Sequence, residues 1–500
     1  MSDALKQDAW PRSHYDVIEQ YHGQYDRQIA SGEYQPFLYP WSGLGAAVVI
    51  AYLLIPHEKR PWLKHARYLV FVWITGFAGY SILYTRAKGM AHAFGVGLLS
   101  AWSVAWVSAI LVCNDAQTDF QRIERLEASS SPSLPGSSGR SNKKKEEESK
   151  EKTMSTGRLG PNKRQHGGAA FAWQPYPSSS SSSPLMERVD WVLDLFCTFR
   201  GAGWSWRPGT IPPPPKDIQE QLGRNSQGAA VPKTSSRIHS GQVQAHHTRE
   251  ALLRANVKTL VQGYLVLDMI KTCVMHDPYF WGCVDRAPPD YFPFTLVNGS
   301  PVLVHMVRLT LSMLGIKAAL QTIFSLGPLL FCFVLGPRLV GARAEPWMYP
   351  ESWAPYTVVL DHGLAGWWGN WWHQTFRFAF QEPSRKLLDV LGMDTTTSHV
   401  AKAGQLVVAF AMSGLVHACG SYTAHGKTDP LANSFLFFLL QAVGIFAELG
   451  LSQWLKKKDL GQKKESGSLN RFPYPLYEEA WAWVLIREMD GGAGTSFIRS

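Results

Sequence analysis

Apolar residues along this 500-residue chain gather into blocks separated by strongly polar stretches. Residues 37–56 (FLYPWSGLGAAVVIAYLLIP), 68–85 and 90–113 each reach the roughly 20 residues that a bilayer-spanning helix needs,. A less clean block, 257–275, contains Lys258, Asp268 and Lys271. Charges inside a span face a cavity or one another. Asp268 and Lys271, three apart on one helical face, therefore predict a mutual pair. The apolar run 302–337 is too long for one helix and is broken by Arg308 and Lys317. It predicts an interfacial helix followed by a span from about 318, closed by Arg338 and Arg343. Two more spans, 403–420 and about 434–455, contain His417 and Glu448,. The pattern predicts an all-α, polytopic transmembrane helical protein of about seven spans, with a range of five to nine.

The polar stretches divide the chain further. Residues 1–36 form a polar, acidic N-terminal segment outside the membrane, and 37–113 carry three transmembrane helices. Residues 114–256 form a loop that is largely disordered, because the Lys/Glu block and the serine run Ser178 to Ser183 cannot bury enough apolar surface to offset ordering,. Within it, Asp190 to Phe196 followed by Arg200-Gly201-Ala202-Gly203-Trp204-Ser205-Trp206 predicts an amphipathic helix and aromatic turn lying at the membrane surface near 188–206,. His276 to Gly282 reads as an aromatic interfacial turn. Residues 257–455 form the membrane core, and 456–500 a polar C-terminal tail.

Charge refines the topology. The chain carries 49 Lys and Arg against 39 Asp and Glu, a net charge of +10. Residues 122–168 hold eleven Lys and Arg against six Glu, and the KKKDLGQKK tract 456–464 holds five Lys against one Asp. An excess confined to tracts flanking apolar segments marks cytosolic loops. With no basic helix or base-reading motif, nucleic acid is excluded as a partner. The basic loop PHEKRPWLKHAR at 56–67 places the N-terminus in the lumen, although Arg86 and Lys88 in the next loop oppose that assignment,. Six scattered cysteines without a CxxC offer neither a disulfide framework nor a metal site,. No secretory signal precedes the first span, so that span targets the chain to a membrane, the endoplasmic reticulum being expected.

Two stretches carry chemistry. Gly366 to Arg377 (GWWGNWWHQTFR) places four tryptophans beside Asn370, His373 and Arg377. Wound as a helix, it aligns Asn370, His373 or Gln374, and Arg377 on one face, flanked by Trp367, Trp368, Trp371 and Phe378. Asn370, His373 and Gln374 offer donors to a developing oxyanion, and Arg377 suits a phosphate. Trp368, Trp371 and Trp372 supply an apolar wall. An interfacial aromatic belt is the plain alternative. The second stretch is Ser413-Gly414-Leu415-Val416-His417, inside a span, with Ser413 one turn before His417. Imidazole takes a proton from a hydroxyl near neutral pH and returns it to a leaving group. A histidine hydrogen-bonded between packed helices is the alternative. A transporter, with Asp268, Lys271, Arg308 and His417 as coupling residues, is the competing class, and the lack of visible repeats counts against it.

With these motifs in order, namely Asp190 to Leu195 with Arg200 to Trp206, Asp277-Pro278-Tyr279-Phe280-Trp281, Trp367 to Arg377, and Ser413 to His417, the chain resembles the wax-synthase-like branch of the membrane-bound O-acyltransferases, in particular fungal members that acylate terpenoid and polyketide alcohols. The resemblance implies acyl transfer from acyl-CoA, acetyl-CoA in fungal members, to a hydroxyl in a tunnel within the membrane, with no bound cofactor. It makes His417 the general base, and His373 or Asn370 the second catalytic residue. Transfer of long-chain acyl groups to make wax or sterol esters is the alternative. The resemblance further implies a membrane helix after Glu448, for which the patch Trp481 to Ile486 is too short. Sequence leaves the acceptor alcohol and the oligomeric state open.

Overall fold

The computed structural model describes residues 11–126, 170–178, 184–225, 243–283, 286–395, 398–426 and 428–463. They form twelve principal helices: α1 His14–Ala30, α2 Leu44–Leu54, α3 Arg67–Tyr84, α4 Met90–Val107, α5 Pro184–Cys197, α6 Lys216–Asn225, α7 Arg249–His276, α8 Pro301–Pro328, α9 Thr357–Gly366, α10 Arg377–Val390, α11 His399–Thr423 and α12 Leu436–Lys463. Four short strands add a parallel pair, β1 Gln35–Pro36 with β2 Thr85–Arg86, and an antiparallel pair, β3 Gln121–Leu126 with β4 Ala170–Pro175.

Counted with their adjoining turns, five helices are long and apolar enough to cross a membrane: Pro61–Tyr84, Met90–Cys113, Pro301–Leu335, His399–Thr423 and Leu431–Leu455. The protein is thus predominantly α-helical and multi-pass. Of the other two expected spans, 37–56 yields only the shorter apolar helix Trp41–Leu54, and 257–275 lies in α7, whose charges set it apart from the five. The expected break in 302–337 is absent, since Pro301–Leu335 is continuous. Arg308 does not end the helix because Asp277 neutralises it, with Nε and Nη2 at 2.8 Å from the two carboxylate oxygens. Asp277 is fully buried and Arg308 nearly so. The expected Asp268–Lys271 pair does not form: both side chains are exposed and no ion pair joins them among the described residues.

The two sides of the bundle are closed differently. On one, α1 folds back over Arg86 and Lys88, the two charges that had opposed the topology. Lys88 pairs with Asp26 at 2.8 Å, and the Arg86 guanidinium lies 3.9 Å from the centre of the Tyr34 ring. These cations are compensated locally, so they say little about which side faces the cytosol.

On the other side the described residues of the 114–256 segment pack against the bundle. Arg122 on β3 binds Asp190 (2.6 Å), Asp194 (3.1 Å), Glu124 (3.2 Å) and the Gln174 amide oxygen (2.8 Å). Arg343 joins the same carboxylate of Asp190, and Arg125 pairs with Glu345. This network fastens α5 and the β3–β4 pair to the turn Gly341–Ala344 and Glu345, which follow α8 in the chain. In consequence α5 does not lie at a lipid surface. Its Trp191, Val192 and Leu195 are fully buried in the core that also holds Trp102, Trp106, Trp204 and Phe378. The Lys/Glu block, the Ser178 to Ser183 run beyond residue 178, and the Trp481 to Ile486 patch lie outside the described residues.

The tightest seam in the bundle joins α4 to α11. The Gly97 amide donates to Thr423 Oγ1 at 3.0 Å, and that hydroxyl donates to the Ala93 carbonyl at 2.7 Å. A Cβ at Gly97 would sit 1.9 Å from the Cys419 carbonyl oxygen. Substituting Gly97→Val therefore forces the helices apart, with an expected loss of about 1–3 kcal/mol. A fall in the thermal midpoint of the detergent-purified protein checks this, and an unchanged midpoint would contradict the packing.

Candidate active site

The Trp-rich stretch is not one helix. Gly363 has φ of 57° and breaks α9 from within. This left-handed conformation is open to glycine and strained for other residues. Trp367–Trp371 then forms a wide π-type turn, the Trp372 amide bonds back to the Trp367 carbonyl at 2.8 Å, and Trp372 is extended before α10 begins at Arg377. The aligned stripe Asn370–Gln374–Arg377 expected from helical spacing is therefore replaced by a knot of local bonds. Breaking a helix frees polar backbone groups, and each must find a partner. Glu448 on α12 accepts from the Leu364 amide at 2.9 Å. The Gln374 amide donates to the Trp368 carbonyl at 3.3 Å and to the Trp372 carbonyl at 2.5 Å. Arg377 donates to the Gly369 carbonyl at 2.5 Å and to Gln374 Oε1 at 2.7 Å.

Among the described residues Asn370 is half-buried and has no hydrogen-bond partner. His373 is 8% exposed, and its Nδ1 is enclosed without a partner. Its ring is walled by Phe324, Trp353, Trp372 and Phe376, with ring centres at 5.8, 6.0, 5.2 and 5.2 Å.

His417 on α11 donates from Nδ1 to the Ser413 carbonyl at 2.9 Å. A carbonyl oxygen can only accept, so Nδ1 carries the proton and the lone pair sits on Nε2. Ser413 thus acts through its backbone, orienting the imidazole. The His417 ring stacks at 4.3 Å on Phe438. Phe438 and Trp368 are 5.8 Å apart, Trp368 and Trp372 5.9 Å, and Trp372 and His373 5.2 Å, so rings run unbroken from one histidine to the other. Trp368 Nε1 is held by Gln441 at 3.1 Å, and Trp371 packs on Trp367 at 4.4 Å.

Burial, then Arg200, then His417 push His373 down to about 3. It is therefore neutral at physiological pH. Because the unfolded chain takes up that proton near 6.5, His373 contributes stability that is lost as pH falls from about 6.5 towards 3.

Arg200 is a residue that reasoning from sequence missed as part of the site, although it opens the aromatic turn singled out there. It donates to the Pro350 and Glu351 carbonyls at 2.8 and 2.6 Å and has no acidic partner among the described residues. Burial lowers its pKa to about 10, and Arg377 is lowered for the same reason. Arg200, Arg377 and His417 are each half-buried. The stretch thus offers an imidazole with a free lone pair on Nε2, a second, neutral imidazole, and two arginines that have no acidic partner among the described residues.

Of the four residues considered for transport, His417 belongs to this site and the other three do not. Arg308 is paired with Asp277, while Asp268 and Lys271 face outward. Among the described residues no cluster of His, Cys, Asp or Glu is arranged to hold a metal ion.

Residues 354–440, which include both histidines, match the model of the Membrane bound O-acyl transferase family. Across the longer chain there is similarity to the O-Mevalon transferase yanI of Aspergillus niger, 25% identical over 313 residues and covering 60% of each chain. The O-Mevalon transferase macI of Penicillium terrestre is 26% identical, covering 54% of this chain and 55% of its own. The acetyltransferase ple2 of Rhodocybe pseudopiperita is 26% identical, covering 56% and 60%. The chain thus spans less than two thirds of the length of these relatives. No solved structure matches. One stretch of this multi-pass chain is thus similar to membrane-bound acyltransferases, and over half of the chain is similar to fungal proteins named as transferases.

Proposed function

We propose that this protein is a membrane-embedded O-acyltransferase that moves an acetyl group from acetyl-CoA to the hydroxyl of a hydrophobic terpenoid or polyketide alcohol. The observation that carries the reading is the bond from His417 Nδ1 to the Ser413 carbonyl, which leaves a lone pair on Nε2 inside the segment matched by the family model. The names of the relatives, O-Mevalon transferase and acetyltransferase, have group transfer in common.

In this mechanism the alcohol approaches through the bilayer, and the acyl-CoA approaches from the cytosolic side, taken to be the face that carries α5 and the basic loops. Nε2 of His417 removes the hydroxyl proton as the oxygen attacks the thioester carbonyl. The tetrahedral oxyanion accepts a hydrogen bond from the neutral imidazole of His373, with Asn370 as the nearby alternative donor. The carbon–sulfur bond then breaks, and the thiolate takes the proton held by His417. Arg200, a cation without counter-charge beside His373, is assigned to the negative charge that the donor brings. Arg377, bonded to Gly369 and Gln374, holds the broken helix in shape, and the tryptophans wall the reacting groups from water. At an endoplasmic-reticulum membrane the alcohol would come from the bilayer and the acyl-CoA from the cytosol.

The test is transfer of label from acetyl-CoA to an alcohol extract by microsomes containing the protein, with long-chain acyl-CoA as a parallel donor. Label in an acetyl ester supports the proposal. Label only from the long-chain donor makes the protein a wax or sterol ester synthase, and no ester from either ends the acyltransferase reading. Within this assay, His373→Ala is expected to lower kcat by about 10²–10³. An unchanged kcat assigns the oxyanion to another donor.

A further inference from the structure

Of the two cations in the run 302–337, Arg308 is neutralised by Asp277, and Lys317 is not. Among the described residues Lys317 has neither an acidic partner nor a hydrogen bond, and its Nζ lies 5.8 Å from the centre of the Trp353 ring. It is half-buried and close to the middle of the Pro301–Leu335 span. A charge at that depth is costly, and such residues face a cavity, a substrate path or a counter-charge. A cation over an aromatic face recovers only part of that cost.

Lys317 is turned towards the candidate site. Gly315, two residues earlier, abuts Ile270 of α7, and two residues of helix turn the chain by about 200°. Lys317 therefore points away from α7. Trp353, which it overlies, is buried and meets the rings of Trp372 and His373 at 6.2 and 6.0 Å. Trp353 Nε1 is itself enclosed without a hydrogen-bond partner, a second unused donor on the same ring.

The depth of Lys317 follows from its neighbours along α8. The spacing of seven from Lys317 to Phe324 keeps one helix face, and Phe331 follows at the same interval. Phe331 stacks on Tyr349, next to the Pro350 and Glu351 carbonyls that hold Arg200. Phe324 meets His373 at 5.8 Å. Lys317 lies a further step away from the face that carries α5, roughly 10 Å beyond Phe324 at the rise of an α-helix. An acyl-CoA that enters from the Arg200 side presents its thioester at the two histidines, and an acetyl group ends there. The acceptor is what extends on to Lys317. A long acyl chain at that level would set hydrocarbon against a charge.

We propose that the acceptor is a hydroxy acid, with its hydroxyl presented to His417 and its carboxylate held by Lys317, the two groups roughly 10 Å apart. Lys317 then determines specificity for the acceptor, a role that rests on acyl transfer at His417.

The test uses microsomes containing the full-length protein, labelled acetyl-CoA, and the alcohol extract in two halves, one treated with trimethylsilyldiazomethane to turn carboxylic acids into methyl esters. From the untreated half the wild type is expected to label an ester that binds an anion exchanger. It should turn over the methylated half about tenfold more slowly, the scale of one hydrogen bond to a charged group. Lys317→Met, similar in length and uncharged, is expected to raise the apparent KM for the untreated extract about tenfold. It should leave KM for acetyl-CoA at the wild-type value and treat the two halves alike, whereas Lys317→Arg keeps the charge and the discrimination. A neutral labelled ester, equal wild-type rates from both halves, or a Lys317→Met defect confined to KM for acetyl-CoA overturns the carboxylate site and leaves acyl transfer standing. No labelled ester from either half overturns both. The methylation arm needs no variant, so a Lys317→Met chain that fails to accumulate does not shield the proposal.

Discussion

Replacing His417 with alanine is expected to lower kcat for acyl transfer by about 10²–10⁴, the contribution of a positioned general base. In the proposed mechanism the alcohol then has no acceptor for its proton, because His373, kept neutral by burial first and by the charge of Arg200 second, is assigned to the oxyanion. His417→Gln sharpens the result. Glutamine keeps a donor for the Ser413 carbonyl but has no basic lone pair, so it should be nearly as inactive as alanine. If the glutamine variant retained the wild-type rate, His417 would be a packing residue and the base would have to be sought elsewhere. Protein level and thermal midpoint should stay near those of the wild type, since the residue makes a single hydrogen bond among the described residues.

The largest effect on stability is expected at Asp277. Removing one partner of a buried, bidentate ion pair leaves the other charge without compensation, at a cost of about 3–5 kcal/mol. Asp277→Ala strands Arg308, which is 3% exposed between α7 and α8, and also removes the acceptor for the Tyr279 amide at 3.2 Å. Unfolding in mild detergent measures the loss. Asp277→Asn combined with Arg308→Met should be clearly less harmful, because it removes both charges and keeps the acceptor. Equal loss in the two variants would show that side-chain volume, rather than charge, matters at this position.

These two sites differ in how far the sequence revealed them. His417 draws attention in the sequence because a single imidazole in an apolar run is conspicuous, and the apolar run itself, a one-dimensional property, set the spans at 68–85, 90–113, 403–420 and 434–455. Arg308 misled for the same reason. Read along the chain it looks like an interruption, and its neutralisation comes from Asp277, 31 residues earlier. The broken helix before His373 was also hidden. Helical spacing predicted an aligned Asn370–Gln374–Arg377 face, but Gly363 turns the chain, and the amide it exposes is bound by Glu448, 84 residues away. Arg200 shows an intermediate case. Its motif was visible, yet the motif was placed on the membrane surface, because α5 looks amphipathic when its partners in the core are unknown. Pattern locates surfaces that must be buried; it does not say against what.

The pairing of β3 with β4 bears on how this protein tolerates change in length. Leu126 and Ala170 are Cα partners in the ladder, so the two ends of the intervening sequence stand side by side. The cost of closing a loop rises only with the logarithm of its length. By that rule, doubling or halving the number of residues between those two positions would alter stability by only about 0.6 kcal/mol. Arg122 would keep its carboxylates, and both histidines their positions. An epitope or fluorescent domain grafted there should leave catalysis intact, whereas a similar graft between Trp206 and Lys216 would pull on the turn that holds Arg200.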